Sequence, residues 1–126
     1  MNTTLPYIKE LTIAMRVSDM NTSIKWYTEV LGFELLYKLD DMGWAELKSS
    51  VPGVNVGISQ VEDVKPGGPT PTFGVSDIAS ARSTLENQGV KFDGETMEIP
   101  GMVKLATFFD PDGNSLMFFE SLSEMG

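Results

Sequence analysis

The sequence predicts an α+β fold built twice from one plan, and three observations carry that expectation. The chain has 126 residues with 41% apolar and 21% charged side chains, which suits one globular domain with one core. The stretch VSDMNTSIKWYTEVLGFEL at 17–35 returns in outline as VSDIASARSTLENQGVKF at 75–92. Strand-like segments flank both copies in the same order, so each half reads strand, helix, strand, strand, strand. Neither half buries its sheet alone, and the two are expected to pack together.

The first strand is ELTIAMRV at 10–17, where Leu11, Ile13, Met15 and Val17 alternate with Thr12, Ala14 and Arg16. The first helix follows Asp19, a good N-cap, with Ile24, Tyr27, Val30 and Leu31 at helical spacing and Gly32 where a left-handed C-terminal residue belongs. Strands are then expected at 33–39, 43–49 and 54–61, with turns at DDMG and SSVPG. The Pro- and Gly-rich run EDVKPGGPTP at 62–71 reads as the connection between halves. TPTFGV at 70–75 opens the second half, Asp77 caps its helix, Ile78, Ala81 and Leu85 mark the apolar face, and Gly89 ends it. Strands at 90–94, 102–109 and 115–121 complete the pattern. Asp110-Pro111-Asp112-Gly113 places Pro and Gly at the second and fourth positions of a type I turn, which makes the last two strands a hairpin. In its second strand Ser115, Met117 and Phe119 share one face, and Leu116, Phe118 and Glu120 the other.

Composition excludes several function classes. There is no cysteine, hence no disulfide, thiolate nucleophile or zinc–sulfur site, and no histidine, which removes every Ser-His-Asp or Cys-His device. A net charge of −9 disfavours nucleic acid and anionic membrane. No apolar run approaches the ~20 residues of a membrane span, and the N-terminus lacks a signal-peptide pattern. A cytoplasmic protein is expected.

The ordered set RVSDMNTSIKWYTEVLGFEL, GVSDI and FFDPDGN resembles the vicinal oxygen chelate superfamily, which includes glyoxalase I, bleomycin-resistance proteins and extradiol dioxygenases. The likeness covers roughly residues 8 to 121. It implies paired βαβββ modules whose sheets curve into a cup, a curved mixed sheet around one ligand site with helices on the outer face. Module one would span about 8–61, the linker 62–69 and module two about 70–121 of a single domain, 1–126. A homodimer is also implied, with the modules pairing either within one chain or across two.

Metal-dependent members of that superfamily take one ligand from the first and one from the last strand of each module. Carried onto this chain, those positions are Thr12, Thr70 and Met117, with the fourth near Gly57. They offer neither imidazole nor carboxylate, so neither a hard nor a borderline divalent ion is suited. The resemblance is therefore to a member lacking the metal ligands, and no metal or other cofactor is expected. Met117 stands where the family has a carboxylate and makes a soft, apolar wall instead.

Alternation extends the cup lining to Arg16, Trp44, Glu46, Thr72 and Phe119, with Asn55 and Ser59 beside Gly57. An offset of 58 between halves, read from Asp19 and Asp77, adds Met102, Lys104 and Ala106. Trp44, Met102, Met117 and Phe119 would grip a flat or apolar ligand, and Arg16 would clamp an acidic group. The bland alternatives stay open: Met117 and Phe119 as core of a collapsed cup, Glu46 with Lys104 or Arg16 as a structural ion pair. Two functions compete, beside a third reading as an interaction or regulatory domain with an occluded cup. One is a metal-independent binding protein of the glyoxalase/bleomycin-resistance type, holding an apolar or aromatic small molecule. The other is a metal-independent lyase or isomerase acting on a small carbonyl compound, with Glu46 as base and Lys104 or Arg16 stabilising an enolate or oxyanion. Binding without catalysis is preferred.

Overall fold

A computed structural model describes residues 8–122. The first unit runs β1 (Leu11–Val17), α1 (Met20–Glu29), β2 (Glu34–Leu39), a short 3₁₀ turn, β3 (Trp44–Lys48) and β4 (Val54–Gln60). The second runs β5 (Thr72–Gly74), α2 (Ile78–Glu86), β6 (Met97–Ile99), β7 (Val103–Phe109) and β8 (Ser115–Ser121). The sheets have the same order, β1-β4-β3-β2 and β5-β8-β7-β6. In each, the first and last strands pair in parallel and the remaining pairs are antiparallel. The duplicated α+β plan is thus present strand for strand.

Both helices begin as the sequence indicates. The Asp19 carboxylate accepts from the Thr22 amide at 3.1 Å, and Asp77 accepts from Ser80 at 3.1 Å. Gly32 and Gly89 take φ of 77° and 84° just past the helix ends, a conformation that costs other residues about 1 kcal/mol or more. Among the described residues no helix is long and apolar enough to cross a membrane.

Each sheet turns one face to a helix. Met15, Val17, Ala45, Leu47, Val56 and Ile58 form that face in the first unit and are buried. Phe108 and Leu116 do so in the second and are fully buried. Burying such a side chain contributes about 1.5–3 kcal/mol. The two helix-side faces share one core. Trp26 of α1 lies 6.5 Å from Phe108, and Phe33 meets Phe73 edge-on at 5.8 Å.

A polar bolt joins the units as well. The hairpin turn at 110–113 closes with Gly113 N–H donating to Asp110 O at 3.0 Å. The Asp110 side chain does more than shape that turn. It is buried, and it accepts from the amides of Asp112 and Asn114, from the Asn114 side chain, and from the Tyr27 hydroxyl at 2.9 Å. Asn114 Nδ2 also donates to the Arg16 carbonyl at 2.8 Å. Burial, and then the Asp110 charge, push the Tyr27 phenol well above its ordinary value.

Two expectations need correction. Residues 90–94 form only an isolated bridge, Phe92 to Phe108, and the strand beside β7 is β6. That strand has three residues, all exposed, and stops before Pro100, so no buried alternation marked it. The other is the register of β7. Thr107 pairs with Met117 and Leu105 with Phe119, so the face shared with Met117 carries Val103, Leu105 and Thr107. Lys104 and Ala106 lie on the opposite, helix-side face, and Met102 stands exposed in the turn before the strand. The true offset from Trp44 to Leu105 and from Glu46 to Thr107 is 61, three more than the repeat suggested. An odd shift turns every side chain of a strand to the other face.

Candidate functional site

The faces opposite the helices carry the cup residues. In the first unit the pairings Ala14 to Gly57 and Glu46 to Gly57, with Arg16 and Trp44 each opposite Ser59, put Thr12, Ala14, Arg16, Trp44, Glu46, Asn55, Gly57 and Ser59 on one surface. Thr12, Ala14 and Arg16 are exposed there. In the second unit the pairings Thr72 to Met117 and Gly74 to Phe119 assemble the equivalent surface. Thr70 lies just before β5, and its carbonyl accepts from the Thr72 hydroxyl at 3.0 Å. Comparing the parallel registers makes Gly57 the counterpart of Met117.

Each surface has an aromatic ring lying over a glycine. A Cβ added to Gly57 would come within 2.0 Å of the Trp44 ring, and one added to Gly74 within 2.8 Å of Phe119. At both positions the outer edge of the ring occupies the space a side chain would fill, so a larger residue would displace the ring. The indole therefore covers Gly57, near which the resemblance puts the fourth of the carried-over ligand positions. Thr12, Thr70 and Met117 supply two neutral hydroxyls and a thioether, and Gly57 supplies nothing. This donor set does not fit a divalent cation. Among the described residues no group of three or more His, Cys, Asp or Glu side chains could hold one.

Glu46 is the polar centre of the first surface. It is only 7% exposed. Its Oε2 accepts from the Thr12 hydroxyl at 2.8 Å and from Asn55 Nδ2 at 3.2 Å, and Oε1 accepts from the Tyr37 hydroxyl at 3.5 Å. Tyr37, opposite Glu46 on β2, was not legible from the sequence. A register irregularity between Leu35 and Tyr37 breaks the alternation of that strand. Glu46 does not meet Lys104, which pairs across strands with Glu98 and Glu120 on the other sheet's helix-side face. Nor does it meet Arg16, which makes no ion pair among the described residues. The two-residue catalytic device expected of Glu46 and Lys104 is not assembled within one chain.

A cleft of about 440 Å³ opens where Trp44, Arg16 and Ser59 face Ser115 and the connecting segment at Lys65 and Pro69. A second cavity of about 340 Å³, between the helix-side faces, is lined by Leu31, Phe33, Phe73, Leu85 and Phe118. It has no charged wall, whereas the cleft at Trp44 combines an aromatic surface with Arg16 and Lys65, so the candidate site lies there. Within the chain the site residues fall into two groups, and no hydrogen bond or ring contact among the described residues joins Thr12, Trp44 or Glu46 to Thr72, Met117 or Phe119.

Comparison with known proteins bears on both fold and site. The model of the glyoxalase/bleomycin resistance protein/dioxygenase superfamily matches residues 10–118. No curated protein matches the chain. Among solved structures, an integron cassette protein from the mobile metagenome of Halifax Harbour is 25% identical, with a TM-score of 0.77 over 88% of this chain and 97% of its own. A superfamily member from Sphaerobacter thermophilus is 24% identical, with a TM-score of 0.79 over 93% of this chain and 100% of its own. TnmS3, an antibiotic-binding protein from Streptomyces, is 21% identical, with a TM-score of 0.75 over 95% of this chain and 99% of its own.

Proposed function

The chain belongs to the glyoxalase/bleomycin resistance protein/dioxygenase superfamily, and from that premise we propose that it is a metal-independent, cytoplasmic small-molecule-binding protein that holds a flat aromatic ligand in its cup. The observation that carries this reading is the Trp44 indole laid over Gly57. A ring replaces the fourth ligand of a metal site, so the same position offers stacking where relatives offer coordination. Phe119 over Gly74 gives the second unit a matching platform. Met117 and Thr72 lie beside it, and a methionine adapts to ligands of varied outline. The fold is shared with TnmS3, an antibiotic-binding protein, which supports a small-molecule ligand. The lyase or isomerase reading is weaker, because among the described residues Glu46 pairs with neither Lys104 nor Arg16.

The test is equilibrium dialysis of acridine, a flat aromatic probe, with EDTA present throughout. Binding is expected, and Trp44→Ala and Phe119→Ala should each weaken it at least about fivefold, in line with an aromatic contact and its buried area. Binding that disappears in EDTA, or that ignores both substitutions, would overturn the proposal.

A further inference from the structure

We infer that Glu46 recognises a positively charged group on the ligand, so that this site selects aromatic cations over neutral or anionic aromatics. The inference rests on the binding function proposed above and specifies the ligand's charge. Glu46 sits on the cup face, more than nine-tenths buried, where a carboxylate is costly to hold without a counter-charge. All three of its donors are neutral: Thr12, Asn55 and Tyr37. Oε2 is well supplied by two of them, but among the described residues Oε1 has only the Tyr37 hydroxyl, at the outer limit of 3.5 Å. A carboxylate oxygen accepts two hydrogen bonds readily, so Oε1 keeps acceptor capacity for a ligand N–H.

Other charges near Glu46 do not satisfy it. Lys48, two residues along β3 and so on the same face, is exposed and makes no ion pair with it among the described residues. Glu10 adds a second acid on the far side of Asn55, accepting from Nδ2 at 3.5 Å. Arg16 lies beyond Trp44, opposite Ser59, and with Lys65 lines the cleft on that side of the indole, whereas Glu46 and Tyr37 lie on the other side, outside that cleft's wall. Trp44 and Tyr37 flank Glu46 along and across the strands. Their π faces attract the same cation that the carboxylate attracts. An aromatic cation stacked on Trp44 would therefore meet a charge-assisted hydrogen bond on the Glu46 side.

Dialysis of three probes at pH 7.5 tests this: proflavine, which is cationic, acridine, its neutral relative, and naphthalene-2-carboxylate, an anion. The wild-type protein should prefer proflavine to acridine by about tenfold or more and bind the anion weakest. Glu46→Gln, which keeps the size of the side chain, should bring the proflavine-to-acridine ratio close to one. Asp93→Asn removes the same unit of charge from an exposed loop and should leave the ratio unchanged. Equal affinity for proflavine and acridine in the wild type would overturn the inference while the binding function stands. So would an equal loss of preference in Asp93→Asn, which would assign the preference to net charge. If none of the three probes binds, the binding function fails and this inference with it.

Discussion

Tyr27 shows how one side chain ties the two units together. Its ring packs against Trp26 and Phe33 at centroid distances of 4.9 and 6.1 Å, and its hydroxyl donates to the buried Asp110 of the other unit. Removing that hydroxyl leaves Asp110 Oδ2 with the Asn114 side chain alone. Tyr27→Phe should cost about 1.5–3 kcal/mol, the range for a hydrogen bond to a charged group, read by urea denaturation. The raised phenol also fixes a pH signature. Below pH about 10 the phenol is protonated in both folded and unfolded chains. Above it the unfolded chain loses the proton and the folded one keeps it, so stability falls as pH climbs from there toward the folded value. In Tyr27→Phe that alkaline decline should be shallower than in the wild type. Parallel curves would mean that Tyr27 is not the group responsible. The Asp110 role was legible only in part: the turn chemistry of Asp-Pro-Asp-Gly is local, but the partner of its buried oxygen comes from 83 residues away.

Among the elements, those set by local chemistry are the ones the sequence reveals. Both helices carry an Asp cap at the start and a glycine beyond the end, and both form where those signals stand. Asp19→Ala and Asp77→Ala should each cost about 1 kcal/mol in thermal or urea unfolding, since each leaves a first-turn amide without its acceptor. A loss well below half of that in both variants would mean that water replaces the cap freely. Strands whose helix-side residues alternate, such as β1, β4 and β8, were equally legible. β6 and the register of β7 were not, for a shared reason. Counted from the helix N-caps Asp19 and Asp77, the second unit has three more residues before β7 than the first has before β3, and they carry Lys104 from the expected cup face to the helix side. A repeat read from its helices cannot measure the loops between them. The candidate site divides in the same way. Thr12, Arg16, Trp44, Glu46, Thr72, Met117 and Phe119 follow from alternation within well-marked strands. Met102 and Lys104 were inferred through the offset and lie elsewhere.

At the scale of the whole molecule, the chain buries its helix-side faces against each other and leaves both cup faces with exposed apolar edges. Tyr37 and Leu39 lie on the cup face of β2, opposite Glu46 and Trp44, and are 48% and 42% exposed. Met97 and Ile99 lie on the cup face of β6, opposite Leu105 and Val103, and are 59% and 40% exposed. The two stripes occupy equivalent strands of the repeated sheet, so a two-fold axis between chains would lay the first unit of one copy against the second unit of the other. That pairing would bring the Trp44 platform of one chain toward the Phe119 platform of its partner chain, which the single chain does not do. The expected homodimer and the expected ligand site are then one prediction. Leu39→Asp and Ile99→Asp place a charge in each stripe, far from the shared core, and should leave the monomer folded by circular dichroism. Light scattering at micromolar concentration should show the wild type at twice the chain mass and both variants at or near the chain mass of 13.8 kDa. Acridine affinity should fall in step with dimer content, because each half-cup alone offers one ring instead of two. A wild-type monomer that binds acridine tightly would sink the shared-site arrangement and make the cleft at Trp44 sufficient by itself. A dimer that persists in both variants would move the interface away from β2 and β6.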